Sequence, residues 1–252
     1  MRRLALLGLS VILLAACGGK SATTTTNDFP PRPPTRTTTP PDPGKDAIDA
    51  FVTAARHGDV DALWEALSTR SKHRLGPTIT LFRQRAAKRL SEEVGSFGEY
   101  KVIVSERITP EFGVVAIDGS HVVEGKRLRD VYAAALRLEG SKWKLELNGP
   151  VHVRPIGPDP GAREQVVAQV AAAVSGEGGT GSAVFYVDGL TENPKIYGTQ
   201  RNSTLVVNYD PALDPGRHTV VVFGNVGHDA SATGWWFTAA KKKPGSKPSS
   251  NP

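Results

Sequence analysis

Cysteine is almost missing from this chain: Cys17 is the only one in 252 residues. An intrachain disulfide is therefore excluded, and so is a structural zinc site built from several thiolates. Long apolar runs are scarce as well. After residue 17 no stretch approaches the ~20 apolar residues that a bilayer-spanning helix needs. The six histidines, His57, His73, His121, His152, His218 and His228, never stand four apart, and H-E-x-x-H does not occur. The usual helical pattern for holding zinc is thus absent, and the expectation is no metal and no cofactor. No serine stands in the G-x-S-x-G context of a nucleophile elbow. Acidic residues are missing from both ends, where Arg2, Arg3, Lys241, Lys242, Lys243 and Lys247 lie. Setting these six aside leaves 25 basic against 25 acidic residues, so the +6 charge belongs to the termini. That placement excludes a basic nucleic-acid-binding domain.

What is present begins at the N-terminus. Arg2 and Arg3, an apolar run from Leu4 to Leu14 and the small Ala15 and Ala16 have the layout of a secretory signal peptide over residues 1–16. Leu14-Ala15-Ala16-Cys17 resembles the lipobox of bacterial lipoproteins. The resemblance implies cleavage between Ala16 and Cys17, acylation of the Cys17 thiol (palmitate or similar chains) and an extracytoplasmic protein anchored to the cell membrane by that cysteine. With the only thiol taken by lipid, no cysteine nucleophile remains, which excludes cysteine transpeptidases.

Residues 17–44 are dominated by threonine and proline, with Phe29 the only large apolar residue. Such a segment cannot offset its ordering entropy by burial and reads as an extended stalk. Residues 45–156 form a first compact unit. Ile48, Phe51, Val52 and Ala55 share one helical face; Gly58 and Asp59 supply a C-cap and the next N-cap; Val60, Leu63, Trp64 and Leu67 repeat the spacing. A longer helix is expected from about Pro77, with Ile79, Phe82, Ala86, Leu90 and Val94 inward. Four β-rich runs follow, at 100–105, 113–118, 130–139 and 142–147, with Asp118-Gly119 and Glu139-Gly140 as turn signals. Helices first and strands after predict an α+β fold on an antiparallel sheet. The element ARHGDVDALWEALS, a further helix and four strands ending in SKWKLEL resemble the nuclear transport factor two-like (cystatin-like) superfamily. This implies a cone: helices packed on a curved antiparallel sheet.

Ile156 to Gly161 reads as a linker, and residues 162–239 as a second unit of short strands and turns. Gly176-Glu177-Gly178-Gly179-Thr180-Gly181 fits G-x-G-x-x-G, but a strand follows it where phosphate binding needs a helix, so it reads as a hairpin loop. The spacing suggests a small all-β sandwich. LDPGRHTVVVFGNVGHDASATGWWFTA resembles the closing strands of bacterial Ig-like surface domains. Residues 240–252 read as a disordered basic tail.

The cone resemblance implies that any ligand sits inside it, with His73, Tyr100, His121 and Tyr132 as the possible pocket and Asp61 and Asp130 as further lining candidates. No catalytic pair maps onto these residues. Arg70, Lys72, Arg74, Arg83, Arg85, Lys88 and Arg89 crowd into twenty positions and could form a basic face. The expectation is a non-catalytic envelope lipoprotein whose two domains bind an envelope protein or polysaccharide. The alternative is a small-ligand carrier or acid/base enzyme using the cone.

Overall fold

The computed structural model describes residues 44–123, 126–164, 166–177, 181–199 and 201–241. The signal segment, Cys17, the stalk up to residue 43 and the tail from residue 242 lie outside the described residues. The described residues fall in one compact unit.

Helix α1 (Lys45–His57) ends at Gly58, whose left-handed φ of 63° suits glycine. Asp59 accepts from the Ala62 N–H at 3.0 Å and starts α2 (Val60–Ala66). The sequence spacing missed α3 (Thr69–Leu75), which carries a single apolar residue, Leu75; the Ser68 hydroxyl caps it by accepting from the Ser71 N–H. The expected long helix runs as α4 (Ile79–Phe82), a π turn (Arg83–Ala87) and α5 (Lys88–Gly95). Phe82, Ala86, Leu90 and Val94 recur every four residues and all are buried. A four-residue repeat outruns the ~3.6 residues of an α turn, and the wider π turn takes up the excess. No described helix is long and apolar enough to cross a membrane.

Strands β1 (Phe97–Arg107), β2 (Phe112–Val123), β3 (Lys126–Glu139) and β4 (Lys142–Glu146) form an antiparallel first sheet in that order. Gly140 makes the expected β3–β4 turn with φ 62°. Asp118-Gly119 does not turn. It lies inside β2, opposite Val131 and Asp130. Glycine is needed there because a Cβ would meet Phe97 Cδ1 and Tyr100 Cβ at 2.8 Å, beside a register shift in β1.

Nine further strands follow among the described residues: β5 (His152–Gly157), β6 (Arg163–Glu164), β7 (Gln169–Ser175), β8 (Ala183–Val187), β9 (Leu190–Glu192), β10 (Lys195–Thr199), β11 (Asn202–Asn208), β12 (Gly216–Val226) and β13 (Asp229–Ala239). They build a two-sheet sandwich. The middle sheet has the order β6-β13-β12-β8-β9 and the outer sheet β10-β11-β7-β5. Residues 152–156, placed by sequence in the first unit, pair with β7 and belong to the sandwich. The glycine-rich run joins β7 to β8 in different sheets, so it is a crossing rather than a hairpin.

Four layers result: helices, first sheet, middle sheet, outer sheet. Ile48, Phe51, Leu63 and Phe82 pack with Val115, Ile117 and Leu136 between helices and first sheet. Val114, Ala116, Val131 and Ala135 on the opposite face pack against Tyr186, Val221 and Phe223 of the middle sheet. Val220, Val222 and Trp235 point the other way, toward the outer sheet. Strand β12 is consequently buried on both faces, from His218 to Val226. Its near-continuous apolar run reflects that double cover.

Candidate functional site

The space between the helices and the first sheet holds an apolar core. Phe51, Leu63, Leu67 and Phe82 are fully buried between helices and sheet, and Trp64 packs on Phe82 with ring centroids 5.2 Å apart. Grooves lie at the surface of this part of the fold. One, of about 540 Å³, runs between α1, α2 and β4, with Ala47, Ala50, Ala62 and Trp143 in its wall.

The sequence candidates separate. His73 is exposed on α3, and Asp61 is exposed on α2, 3.7 Å from Arg83. Tyr100 sits at the α1–β1 boundary and donates its hydroxyl to Asp49 at 2.7 Å. The Arg56 guanidinium lies 5.5 Å from its ring centroid. Burial, then the Asp49 carboxylate, push the Tyr100 phenol up to about 12, against a smaller opposing pull from Arg56. Burial by itself would raise Asp49, yet the hydrogen bonds from Lys45 and Tyr100 hold it below the usual carboxylate value. Tyr100→Phe should therefore move the Asp49 pKa upward in an NMR titration. A depressed carboxyl gives stability above its unfolded pKa and loses it as pH falls through the folded value. The wild type should thus lose more stability than the variant below pH ~4.

His121 and Tyr132 do come together, on either side of Phe97. The Phe97 ring lies 5.4 Å from His121 and 6.4 Å from Tyr132. With Asp130, Glu93 and Ser96 they line an open cleft of about 730 Å³ between the end of α5, the edge of β3 and β13. Ser96 Oγ is 3.4 Å from His121 Nδ1, and Asp130 accepts from the Val131 N–H at 2.8 Å. Burial first, then the Glu93 charge, raise the Tyr132 phenol above its ordinary value. The cleft can orient a polar molecule. Its carboxylates and imidazole show no nucleophile–base–orienter chain.

The basic run between residues 70 and 89 is not one face. Arg70 and Arg74 bind Asp229, Arg74 also binds Glu146 at 2.8 Å, and Lys72 binds Glu65 at 3.1 Å. Glu146 itself is fully buried. It accepts from Arg137 Nε at 2.8 Å and from Ser68 Oγ at 2.7 Å. Arg137 in turn reaches Glu111 and the His228 carbonyl. This network joins α3 and the first sheet to the β12–β13 turn, and sequence spacing gives no hint of it because its members lie up to 159 positions apart.

Ser141 and Lys144 have S-x-x-K spacing. They stand at the turn into β4, where positions three apart face opposite sides, and Lys144 donates to the Glu65 carbonyl. The serine–lysine pairing of acyl-transfer enzymes is not formed. His218 places Nδ1 2.7 Å from Asp188 and Nε2 2.8 Å from the Asp214 carbonyl, a structural clamp within the sandwich. Among the described residues no three His, Cys, Asp or Glu side chains are grouped to hold a metal ion.

No family model matches the chain, and neither does any curated protein. Among solved structures, an endo-beta-1,4-mannanase from Thermotoga petrophila aligns at 14% identity and TM-score 0.30, over 38% of this chain and 21% of that one. This chain thus covers about a fifth of the mannanase. An NTF-2 like protein of unknown function from Shewanella oneidensis MR-1 aligns at 16% identity and TM-score 0.30, over 41% and 92%. A titin tandem of Ig domains aligns at 11% identity and TM-score 0.26, over 58% and 91%. None of these likenesses is close enough to transfer an activity.

Proposed function

We propose that this chain is a non-catalytic lipoprotein of the cell envelope. Cys17 carries the lipid, and a nuclear transport factor two-like cone fused to an Ig-like sandwich is held outside the membrane to bind an envelope protein or polysaccharide. The observation that supports a non-catalytic reading is the apolar core between helices and first sheet, where Phe51, Leu63, Leu67 and Phe82 are fully buried. The lipobox and the Thr/Pro-rich stalk supply the localisation part of the reading.

A deletion strain complemented with single variants tests it. Cys17→Ser should shift the protein from the membrane to the soluble fraction and fail to complement. Variants His121→Ala, Asp130→Ala and Tyr132→Ala should complement as long as they fold. Unmodified Cys17 in the mature protein would remove the anchor. A folded cleft variant reproducing the deletion would favour the second reading, a small-ligand carrier or acid/base enzyme, which the grouping of His121, Asp130 and Tyr132 around one cleft supports.

A further inference from the structure

We infer that strand β10 is a self-association edge, along which two copies of this chain pair antiparallel through their outer sheets. The strand is bare. All five residues from Lys195 to Thr199 are exposed, and among the described residues only β11 pairs with them. Strand β9 lies on the same flank: Asn193 and Pro194 alone join this edge strand of the middle sheet to the edge strand of the outer one. The flank carries Leu190, Ile196 and Tyr197, which are 70%, 61% and 54% exposed. These are the three most exposed large apolar side chains among the described residues.

The ladder fixes which backbone groups of β10 are open. Tyr209 N–H donates to the Ala168 carbonyl and Gly176 N–H to the Arg201 carbonyl, so the odd-numbered residues of β11 bond toward β7. The even-numbered Asn202, Thr204 and Val206 bond toward Thr199, Tyr197 and Lys195. Ile196 therefore turns its N–H and carbonyl away from the sheet. An open strand edge is a template for another strand unless it is blunted. The edge of the first sheet is blunted: β1 has two register shifts, and Arg56 donates to the Phe97 and Gly98 carbonyls. Strand β10 keeps unbroken register with β11, contains no proline and carries one charge, Lys195.

A second copy fits because β10 complements itself. With Ile196 opposite Ile196 of the second copy, the two residues exchange a pair of N–H···O=C bonds. Lys195 of each copy then stands opposite Tyr197 of the other, on one face of the joined sheet. Directly opposed side chains have Cβ atoms ~5 Å apart, so each ammonium reaches an aromatic ring. The two isoleucines meet on the other face, the face of Leu205. Lysine opposes tyrosine, so no like charges are set against each other. A register centred on Tyr197 would instead set Ile196 against Gly198, with no side chain to cover it. Gly198 also has φ 99°, outside the range of a regular strand.

The two-fold makes the contact isologous, so it closes at two copies. A strip this narrow belongs with small, transient interfaces, and a dissociation constant on the order of 100 μM is expected. The inference is independent of the anchor proposed at Cys17.

The test follows residues 40–252, which include every described residue, by sedimentation equilibrium between micromolar and millimolar concentrations. A monomer–dimer equilibrium is expected, and the Ile196 amide should gain protection from hydrogen exchange as concentration rises. Ile196→Lys and Ile196→Glu should each stay monomeric with an unchanged thermal midpoint, because like charges then oppose each other across the two-fold. Mixed in equal amounts, these two variants should associate. Tyr197→Ser should weaken the dimer on the order of tenfold. Ile156→Lys, on the edge strand at the opposite flank of the outer sheet, should dimerise like the wild type. A chain that remains monomeric at millimolar concentration would overturn the proposal and leave β10 to a strand from a different protein. Dimerisation that survives Ile196→Lys, that ignores Tyr197→Ser, that Ile156→Lys abolishes, or that leaves the Ile196 amide unprotected would overturn it as well. Failure of the mixed lysine and glutamate variants to associate would remove the register centred on Ile196, and the proposal with it.

Discussion

Denaturation of the unit spanning residues 40–252 is expected to give one transition, with far-ultraviolet dichroism and tryptophan fluorescence changing together. The sequence, with its apparent linker at 156–161, suggests instead two units that part on limited proteolysis. Three observations favour the single transition. The first and middle sheets share an apolar core in which Phe223 is fully buried and its ring lies 6.4 Å from that of Phe112. Tyr186 of the sandwich donates to Glu106 of the first sheet at 2.9 Å. The linker is held by its flanks: Trp235 Nε1 donates to the Pro158 carbonyl, and Gly161 N–H to the Trp236 carbonyl. Phe223→Ala should therefore cost about 3–5 kcal/mol and move both signals equally. Separate transitions, with only the fluorescence shifted, would restore independent domains.

The second large effect concerns Glu146. Its carboxylate has no exposed surface and is held by Arg74, Arg137 and Ser68. Arg137 is itself buried and lies 4.6 Å from the Phe112 ring centroid. Glu146→Leu removes the buried carboxylate that Arg74 and Arg137 share, leaving Arg137 with only the half-exposed Glu111, and the expected loss is about 3 kcal/mol. A well-packed apolar pair in place of a buried ion pair is often neutral or better, so Glu146→Leu with Arg137→Met should recover a good part of the loss. Thermal midpoints of the two single variants and the double variant provide the measurement. A single-variant loss under about 1 kcal/mol would mean that water reaches and compensates the remaining arginine.

Local signals in the chain were readable where the physics is local. The spacing of Ile48, Phe51, Val52 and Ala55 gave the buried face of α1, and Gly58 and Asp59 its end and the next start. The runs 100–105, 113–118 and 130–139 fall inside β1, β2 and β3, and 142–147 overruns β4 by one residue. Failures came where one residue type serves two purposes. Gly119 looks like a turn glycine, yet it is there for close approach to Phe97 and Tyr100. Ser68 caps a helix with almost no apolar stripe. The layering was written in His218–Val226, a run too apolar for a sheet with one wet face, but periodicity alone cannot say what covers the second face. Of the candidate pocket, only His121 and Tyr132 came together, because pockets depend on non-local packing.

The double burial of β12 also sets a timetable for the nascent chain. The first sheet is complete at Glu146, but the strand that covers its outer face begins only at Gly216. At synthesis rates of roughly 5–20 residues per second, about 70 residues of delay leave Phe112, Val114 and Ala116 uncovered for several seconds. During that interval the emerging half presents an open apolar sheet to its surroundings. Its safe arrival therefore depends on whatever shields it until the C-terminal third of the polypeptide has appeared.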